Sequence, residues 1–157
     1  MAGPDFITPE GHRRLIDEQE RLLRVDRPQV VEAVSVAAAH GDRSDNADYR
    51  YGKRKVRQID SRLQFLNTRL DRVQVVDPAR QKGSQVLFGA TVVVEDEDGE
   101  RRTYGIVGID EVDAKVGKIS YQSPLGQALL RKVAGEAVVV HRPAGEQELT
   151  LVSVKYV

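Results

Sequence analysis

An unbroken heptad pattern of apolar positions runs through the second quarter of the chain. Steps of three and four residues alternate along it, and its members are Tyr49, Gly52, Val56, Ile59, Leu63, Leu66, Leu70 and Val73. Such steps place every member on one stripe of an α-helix, at the a and d positions of a coiled coil. A lone helix cannot bury this stripe, so the pattern predicts a second helix beside it.

A second helical stretch lies directly upstream, over residues 9–39, with Thr8 as the predicted N-cap. Only residues 40–44 separate the two stretches, so the helices must run antiparallel, side by side. The numbers of facing residues then have a constant sum. The predicted pairs are Leu15 with Leu70, Leu22 with Leu63, Ala33 with Gly52 and, one residue out of step, Val30 with Val56. Pro28 lacks an amide hydrogen and predicts a bend near that step.

The second helix is expected to start at a Ser44 cap and to end before Asp77, after which the pattern changes. Short segments of strand character follow, at residues 90–95, 102–109, 118–121, 137–141 and 149–154. Ser123 and Pro124 open a short helix, again as cap plus proline. The predicted fold class is α+β, because a small antiparallel sheet with one helix follows the hairpin.

Two domains are therefore expected. Residues 1–78 form an antiparallel coiled-coil hairpin with its tip at residues 41–46, and residues 79–157 form the small sheet domain. Lys plus Arg and Asp plus Glu each total 24, so the whole-chain charge indicates no partner. The lack of cysteine excludes disulfides and cysteine-bound metals. Without a signal-like or membrane-length apolar run, a soluble cytoplasmic protein is expected.

Two carboxylates, Asp42 and Asp45, lie three residues apart in the joint between the helices. They can simply interact with the dipole of the following helix, at ~0.3–1 kcal/mol each. Two exposed carboxylates alone bind Mg²⁺ poorly, because Mg²⁺ sheds its waters reluctantly and needs more ligands. The pair can instead complete a metal site that another molecule supplies, and both interpretations stay open here.

Residues 50–57, directly behind the joint, contain five basic side chains and no acidic one. Lys53 and Arg57 share a helix face, with Arg50 and Arg54 on an adjoining row. The run is either a solvated face or a patch for phosphates, beside which Tyr51 can stack on a base. Nothing else in the sequence forms a self-sufficient active site, since the three histidines are scattered and no nucleophile or phosphate-loop motif occurs.

Six segments spread over the chain match one known family. They are Ile7-Thr8-Pro9-Glu10-Gly11, residues 41–49, Val75-Val76-Asp77, Ser123-Pro124-Leu125 with Leu129-Leu130, Pro143-Ala144-Gly145-Glu146 and Val154-Lys155-Tyr156. Through them the chain resembles the bacterial transcript cleavage factors of the GreA/GreB family. Arg43 after Asp42, together with the basic run after Tyr49, favours the GreB branch.

The resemblance implies a coiled coil followed by a domain similar to FK506-binding proteins, without isomerase activity. It further implies that the hairpin enters the secondary channel of bacterial RNA polymerase. There it stimulates the polymerase's own endonucleolytic cleavage of the backtracked nascent RNA. The chain would then be no enzyme itself, with neither a small-molecule substrate nor a membrane as partner, and we expect Arg50, Lys53, Arg54 and Arg57 to contact the RNA.

Carried over by position, the resemblance makes Asp42 a ligand of a Mg²⁺ held jointly with polymerase, and Asp45 an assistant to that metal and the attacking water. The isolated chain is expected to bind none. The family has Glu where this chain has Asp45, whose reach is shorter by ~1.3–1.5 Å. A misplacement of ~1 Å can lower a rate about 10²-fold, so weaker cleavage is one expectation.

Two alternatives follow. The first is a secondary-channel regulator that does not promote cleavage, since the acidic tip also resembles that of DksA. DksA carries a cysteine zinc site, however, and this chain has no cysteine. The second and weaker alternative is a coiled-coil interaction protein unrelated to transcription.

Overall fold

The structure, a computed structural model, describes residues 5–41 and 46–157. The helices are α1 (Pro9–Arg21), α2 (Arg27–Ala38), α3 (Ala47–Arg72) and α4 (Pro124–Leu129), with a π-helical turn (Leu22–Asp26) between α1 and α2. The strands are β1 (Asp5–Ile7), β2 (Val73–Val75), β3 (Thr91–Glu95), β4 (Arg101–Val107), β5 (Lys118–Ser120), β6 (Ala137–Arg142) and β7 (Gly145–Lys155). Short 3₁₀ turns lie at Pro78–Arg80, Ile109–Glu111 and Ala114–Val116. None of the helices in the described ranges has the length and apolar character that crossing a bilayer requires.

The chain divides into two compact units. Residues 13–72 hold the helical hairpin, and residues 5–12 together with 73–157 hold the sheets. This division differs from the boundary predicted at residue 78, because β1 pairs in parallel with β2 and residues 73–78 thereby group with the sheet unit. The same pairing ends α3 at Arg72, earlier than predicted. Strands of three residues are too short to leave a periodic signal in the sequence.

The apolar stripe predicted for the second helix is the buried face of α3. Every stripe position from Tyr49 to Leu70 is buried or half-buried, and all other α3 residues are exposed except Arg69. Hydrogen bonds connect the two arms, and as the residue number rises in the first arm, the number of its partner in the second arm falls, as in antiparallel helices. They link Gln19 to Asn67, Arg27 to Asp60, and Ala37 to Asn46. The predicted antiparallel hairpin is therefore confirmed.

Two ion pairs bridge the arms of the hairpin at its solvent edge. Arg62 donates two hydrogen bonds to Glu18, at 2.6 and 2.9 Å, and so lowers the pKa of that carboxyl group. Arg27 donates from Nε to Asp60 at 2.7 Å and lowers the pKa of that group in the same way. Both carboxylates therefore favour the charged form in the folded hairpin.

The step in the predicted register has a specific structural cause. In the π-helical turn the amide of Arg27 donates to the carbonyl of Leu22, five residues back, so the first arm gains one residue relative to a regular α-helix. Pro28 lies in the first turn of α2. The one-residue shift in the pairing of the two arms persists beyond the turn. A Cβ on Gly52 would lie 2.5 Å from Cγ2 of Val34, whereas Ala33 is exposed. Gly52 therefore faces Val34, and the predicted pairing of Gly52 with Ala33 is wrong.

The five-stranded sheet has the order β5-β4-β3-β7-β6. The pairs β4–β3, β3–β7 and β7–β6 are antiparallel, as predicted. However, β5 pairs with β4 in parallel, with Gly105 opposite Lys118, so the sheet is mixed. The segment between β4 and β5, which contains two 3₁₀ turns, returns the chain from Val107 to the level of Gly105 before β5 begins. A tight hairpin could not have produced that direction.

The core of the sheet unit lies between the sheet and α4. Its buried members are Val86, Ala90, Val92, Val94, Ile106, Leu125, Leu129, Val138, Val140, Leu149 and Leu151. The predicted cap is confirmed, since Ser123 Oγ accepts from the amide of Gly126 at 3.1 Å. A Cβ on Gly126 would collide with the carbonyl oxygen of Ser120, so glycine allows α4 to approach β5 closely.

A buried carboxylate, Glu111, ties the start of α1 into the sheet unit. It accepts hydrogen bonds from the amides of Thr8 and Gly108, at 3.1 and 3.0 Å, and from the Thr8 hydroxyl. Thr8 Oγ1 in turn accepts from the amide of Gly11 at 3.1 Å, which confirms Thr8 as the N-cap of α1. A Cβ on Gly11 would collide with the Glu111 carboxylate.

Candidate functional site

Asn46 ties together the ends of the two hairpin arms. Its side-chain oxygen accepts from the amide of Tyr49 at 3.0 Å, and its side-chain amide donates to the carbonyl of Ala37 at 2.6 Å. The first bond caps α3, and the second satisfies a carbonyl at the end of α2. The cap of α3 is therefore Asn46. We predicted Ser44 as the cap, and Ser44 lies outside the described residues. Asparagine is a favoured cap, but the sequence offers serine, aspartate and asparagine together and does not choose among them.

The first arm ends in a turn that suits glycine. Backbone bonds from Ala39 and His40 to the carbonyls of residues 35–37 close the last turn of α2. Gly41 follows with φ of +128°, in a region that side chains other than glycine rarely adopt. The two predicted metal-binding carboxylates, Asp42 and Asp45, come next, and both lie outside the described residues. Their roles stay predictions.

The four predicted RNA-binding residues lie in the first three turns of α3. Arg50, Lys53, Arg54 and Arg57 are all exposed, as expected for the face opposite the seam. Across the described ranges, no ion pair involves any of them, whereas Arg27 and Arg62 pair across the hairpin. Their charges are therefore available for phosphates, and the structure brings the four together on one segment of helix.

A groove runs between α2 and α3, and Lys55, the fifth cation of residues 50–57, is among its lining residues. Its volume is about 610 Å³, and its lining residues are Gln29, Val30, Ala33, Val36, Ala37 and His40 from the first arm, with Asp48, Tyr51, Gly52 and Lys55 from the second. Tyr51 is 64% exposed and Val36 is 50% exposed. We predicted from the sequence that Tyr51 can stack on a base. The groove could not be predicted, because it depends on the register of the two helices.

The described residues contain no group of three or more His, Cys, Asp or Glu side chains that could hold a metal ion. They supply cations, an aromatic ring and the cap that positions the start of α3. Any carboxylate ligands for a metal at the joint between the arms would have to come from Asp42 and Asp45 of the sequence.

Comparison with known proteins gives matches over almost the whole chain. Residues 5–75 match the family described as "Transcription elongation factor, N-terminal", and residues 80–156 match "Transcription elongation factor, GreA/GreB, C-term". Transcription elongation factor GreB of Pseudomonas aeruginosa is 50% identical over 155 residues, 99% of this chain and 92% of that protein. GreB of Neisseria meningitidis serogroup B is 46% identical over 98% of this chain and 94% of that protein. A crystal structure of GreA factor homolog 1 of Thermus thermophilus is 26% identical, with a TM-score of 0.43, over 96% of this chain and 98% of that one.

Proposed function

Because this chain belongs to the GreA/GreB family of transcription elongation factors, we propose that it stimulates the cleavage of backtracked RNA by bacterial RNA polymerase. The hairpin enters the secondary channel of the polymerase in the cytoplasm, and the polymerase's own active centre cleaves the RNA. The observation that carries the proposal is the pair Asp42 and Asp45, placed between two antiparallel arms whose ends Asn46 joins.

The two carboxylates act as ligands and orienting groups. Asp42 would offer oxygens to a Mg²⁺ held jointly with polymerase, and Asp45 would help to hold that Mg²⁺ and to orient the attacking water. Carboxylate oxygens are the ligands that Mg²⁺ prefers. Bound there, Mg²⁺ supplies Lewis-acid stabilisation of the phosphoryl oxygens and a more acidic water. Two carboxylates are too few to retain the ion in the free protein, so the isolated chain binds none.

The basic residues of α3 position the RNA. Arg50, Lys53, Arg54 and Arg57 are exposed and lack ion-pair partners within the described chain, so they can contact successive phosphates of the backtracked segment. A longer backtracked segment reaches more of these cations. Their contribution should therefore grow with the length of the displaced RNA and decrease with salt.

A cleavage assay on stalled elongation complexes tests the function. Asp42→Asn and Asp45→Asn should each abolish most of the stimulated cleavage, because an amide is a poorer Mg²⁺ ligand than a carboxylate. Binding to polymerase should persist, and Asp71→Asn, an exposed acid at the far end of α3, is the matched control. Full cleavage by Asp42→Asn would show that the carboxylates are not the working groups.

The RNA contact has its own control. Replacing Lys53, Arg54 and Arg57 by Ala should reduce cleavage of extensively backtracked complexes more than of short ones, and should weaken the salt dependence. Replacing three exposed cations elsewhere, Arg13, Arg24 and Lys82, removes the same charge and should leave that length dependence unchanged. An equal loss for both RNA lengths would contradict the phosphate contacts.

The second candidate function is a secondary-channel regulator that does not promote cleavage. The observation that favours it is Asp45, one methylene shorter than the Glu expected from the resemblance. Asp45→Glu should preserve or raise cleavage if reach limits the rate. If the wild-type protein binds polymerase but neither it nor Asp45→Glu stimulates cleavage, the regulator becomes the better description.

A further inference from the structure

We infer that the groove beside Tyr51 binds an unpaired base of single-stranded RNA, with the Tyr51 ring as its stacking surface. The inference rests on the proposed function, which brings an RNA 3′ segment to the hairpin. It adds a site for a base to the phosphate contacts proposed above, on a neighbouring face of α3.

The groove has the shape and chemistry that a flat aromatic ligand needs. Its apolar lining residues from the first arm are Val30, Ala33, Val36 and Ala37, and its volume is about 610 Å³. Tyr51 lines one wall with 64% of its surface exposed. Within the described ranges no other ring packs on it and no hydrogen bond engages it, so one face of the phenol ring is available for stacking.

Gly52 sets the spacing of the two helices next to the Tyr51 ring. It follows Tyr51 in the chain and also lines the groove. Without a side chain, it lets α3 approach Val34 so closely that a Cβ would lie 2.5 Å from a Val34 methyl group. A larger residue at position 52 would press against Val34 and change the spacing of the helices on either side of the groove.

Charge favours a nucleic acid as the occupant. Lys55 lies one helical turn from Tyr51 and lines the same groove, and the run over residues 50–57 has five cations and no acid. Asp48 is the one acidic lining residue and lies in the first turn of α3. An aromatic stacking surface bordered by cations is the arrangement that binds single-stranded nucleic acid with little sequence preference. Of the five cations in that run, Lys55 lines the groove, and the other four are exposed on the same turns of α3.

The test separates base from phosphate. A short fluorescein-labelled oligouridine and the same backbone without bases are titrated with the full chain at low salt. Tyr51→Ala should weaken oligouridine binding between about fivefold and about 150-fold, the range of base–aromatic stacking. It should leave the abasic backbone within about twofold. Tyr51→Phe keeps the ring and should bind as wild type.

A matched control comes from the same helix. Phe65 is also an exposed aromatic residue of α3, 46% exposed, but does not line the groove. Phe65→Ala should leave oligouridine affinity unchanged. Circular dichroism of both alanine variants checks that helix content is intact, which is expected because both side chains are exposed.

The outcomes distinguish this inference from the proposed function. If Tyr51→Ala binds oligouridine as wild type does while the variant lacking Lys53, Arg54 and Arg57 loses affinity, the groove inference fails and the phosphate contacts stand. If wild type binds no oligouridine, both fail, and the Asp42→Asn cleavage assay still decides the function. If Tyr51→Ala instead weakens binding to polymerase in the absence of RNA, the groove is a protein contact and the inference is overturned.

Discussion

The two compact units bury their apolar side chains in different ways. The sheet unit surrounds a core between sheet and helix, in which Ile106, Leu129 and Leu151 are completely buried. The hairpin has only a seam between two helices, and in the described part of residues 13–72 its buried apolar positions are Leu15, Ala37, Gly52, Ile59 and Leu66. A seam leaves most of each helix in water.

The difference explains which residues the hairpin tolerates. Gln19 and Asp26 occupy positions that the constant-sum rule places in the seam, yet both remain partly exposed. Gln19 bonds to Asn67, and Asp26 lies 3.7 Å from Nε of Arg21. Polar groups at the edge of a seam can still reach a partner or water, whereas a fully enclosed core would leave them unsatisfied. Substitutions should therefore affect the two units unequally.

The largest expected effect is in the core of the sheet unit. Leu129→Ala should lower the free energy of unfolding by about 2–5 kcal/mol, because the side chain is completely buried and leaves a cavity. Leu63→Ala, at a half-buried seam position, should lower it by roughly 1–2 kcal/mol, since less apolar area is lost. Urea denaturation measures both. Equal losses would remove the distinction between core and seam.

Glu111 gives the next effect, because it brings a polar group into the sheet unit. The amides of Thr8 and Gly108 both donate to Oε2 of Glu111, and the Thr8 hydroxyl donates to Oε1. Glu111→Gln can keep an oxygen toward the two amides, but its NH₂ group then takes the place of the oxygen that accepts from the Thr8 hydroxyl. An unsatisfied buried donor should lower the free energy of unfolding by about 1–3 kcal/mol. Glu97→Gln, at an exposed position, is the control and should change it by less than ~0.5 kcal/mol. A matching small change for Glu111→Gln would mean that water reaches the site.

The seam can be tested through its closest approach. Gly52→Ala places a methyl group against Val34, and the overpacking should exceed the gain in helix propensity, for a net loss of about 1 kcal/mol. In a Val34→Ala background the clash is gone. There the same Gly52→Ala change should stabilise the hairpin by about 0.5–1 kcal/mol. Thermal denaturation of the four proteins gives the sign, and no reversal would refute the assigned register.

The smallest effect concerns the ion pair between Arg62 and Glu18. Its hydrogen bonds lower the pKa of Glu18 in the folded state. The stabilisation is therefore complete above the unfolded pKa of about 4.3, and is lost as the pH falls through the lowered folded pKa. Glu18→Gln should lower stability by at most about 1 kcal/mol at neutral pH, and the difference from wild type should vanish in strong acid. A constant difference at all pH values would exclude the ion pair as its cause.

Sequence periodicity predicted the hairpin well, because every stripe position of α3 has one consistent environment. It failed where tertiary contacts decide. The parallel direction of β5 depends on how the segment with two 3₁₀ turns returns the chain along β4, and β1 forms only because β2 lies beside it. For the site, the exposure of the four cations followed from the stripe. The role of Asn46 and the groove beside Tyr51 did not, since both depend on how the arms face each other.

The π-helical turn at Leu22–Asp26 has a consequence for how this chain can vary in length. Each residue of an α-helix advances the side-chain direction by about 100°, so a deletion within α2 would rotate everything on one side of it out of the seam. Within the five-residue turn, losing one residue merely converts it to regular α-helix. After such a deletion, the residues on both sides of the turn still point their apolar side chains toward the seam. That turn is thus the place in the hairpin where a one-residue deletion is best accommodated, and shorter members of the same lineage should show their gap at that point.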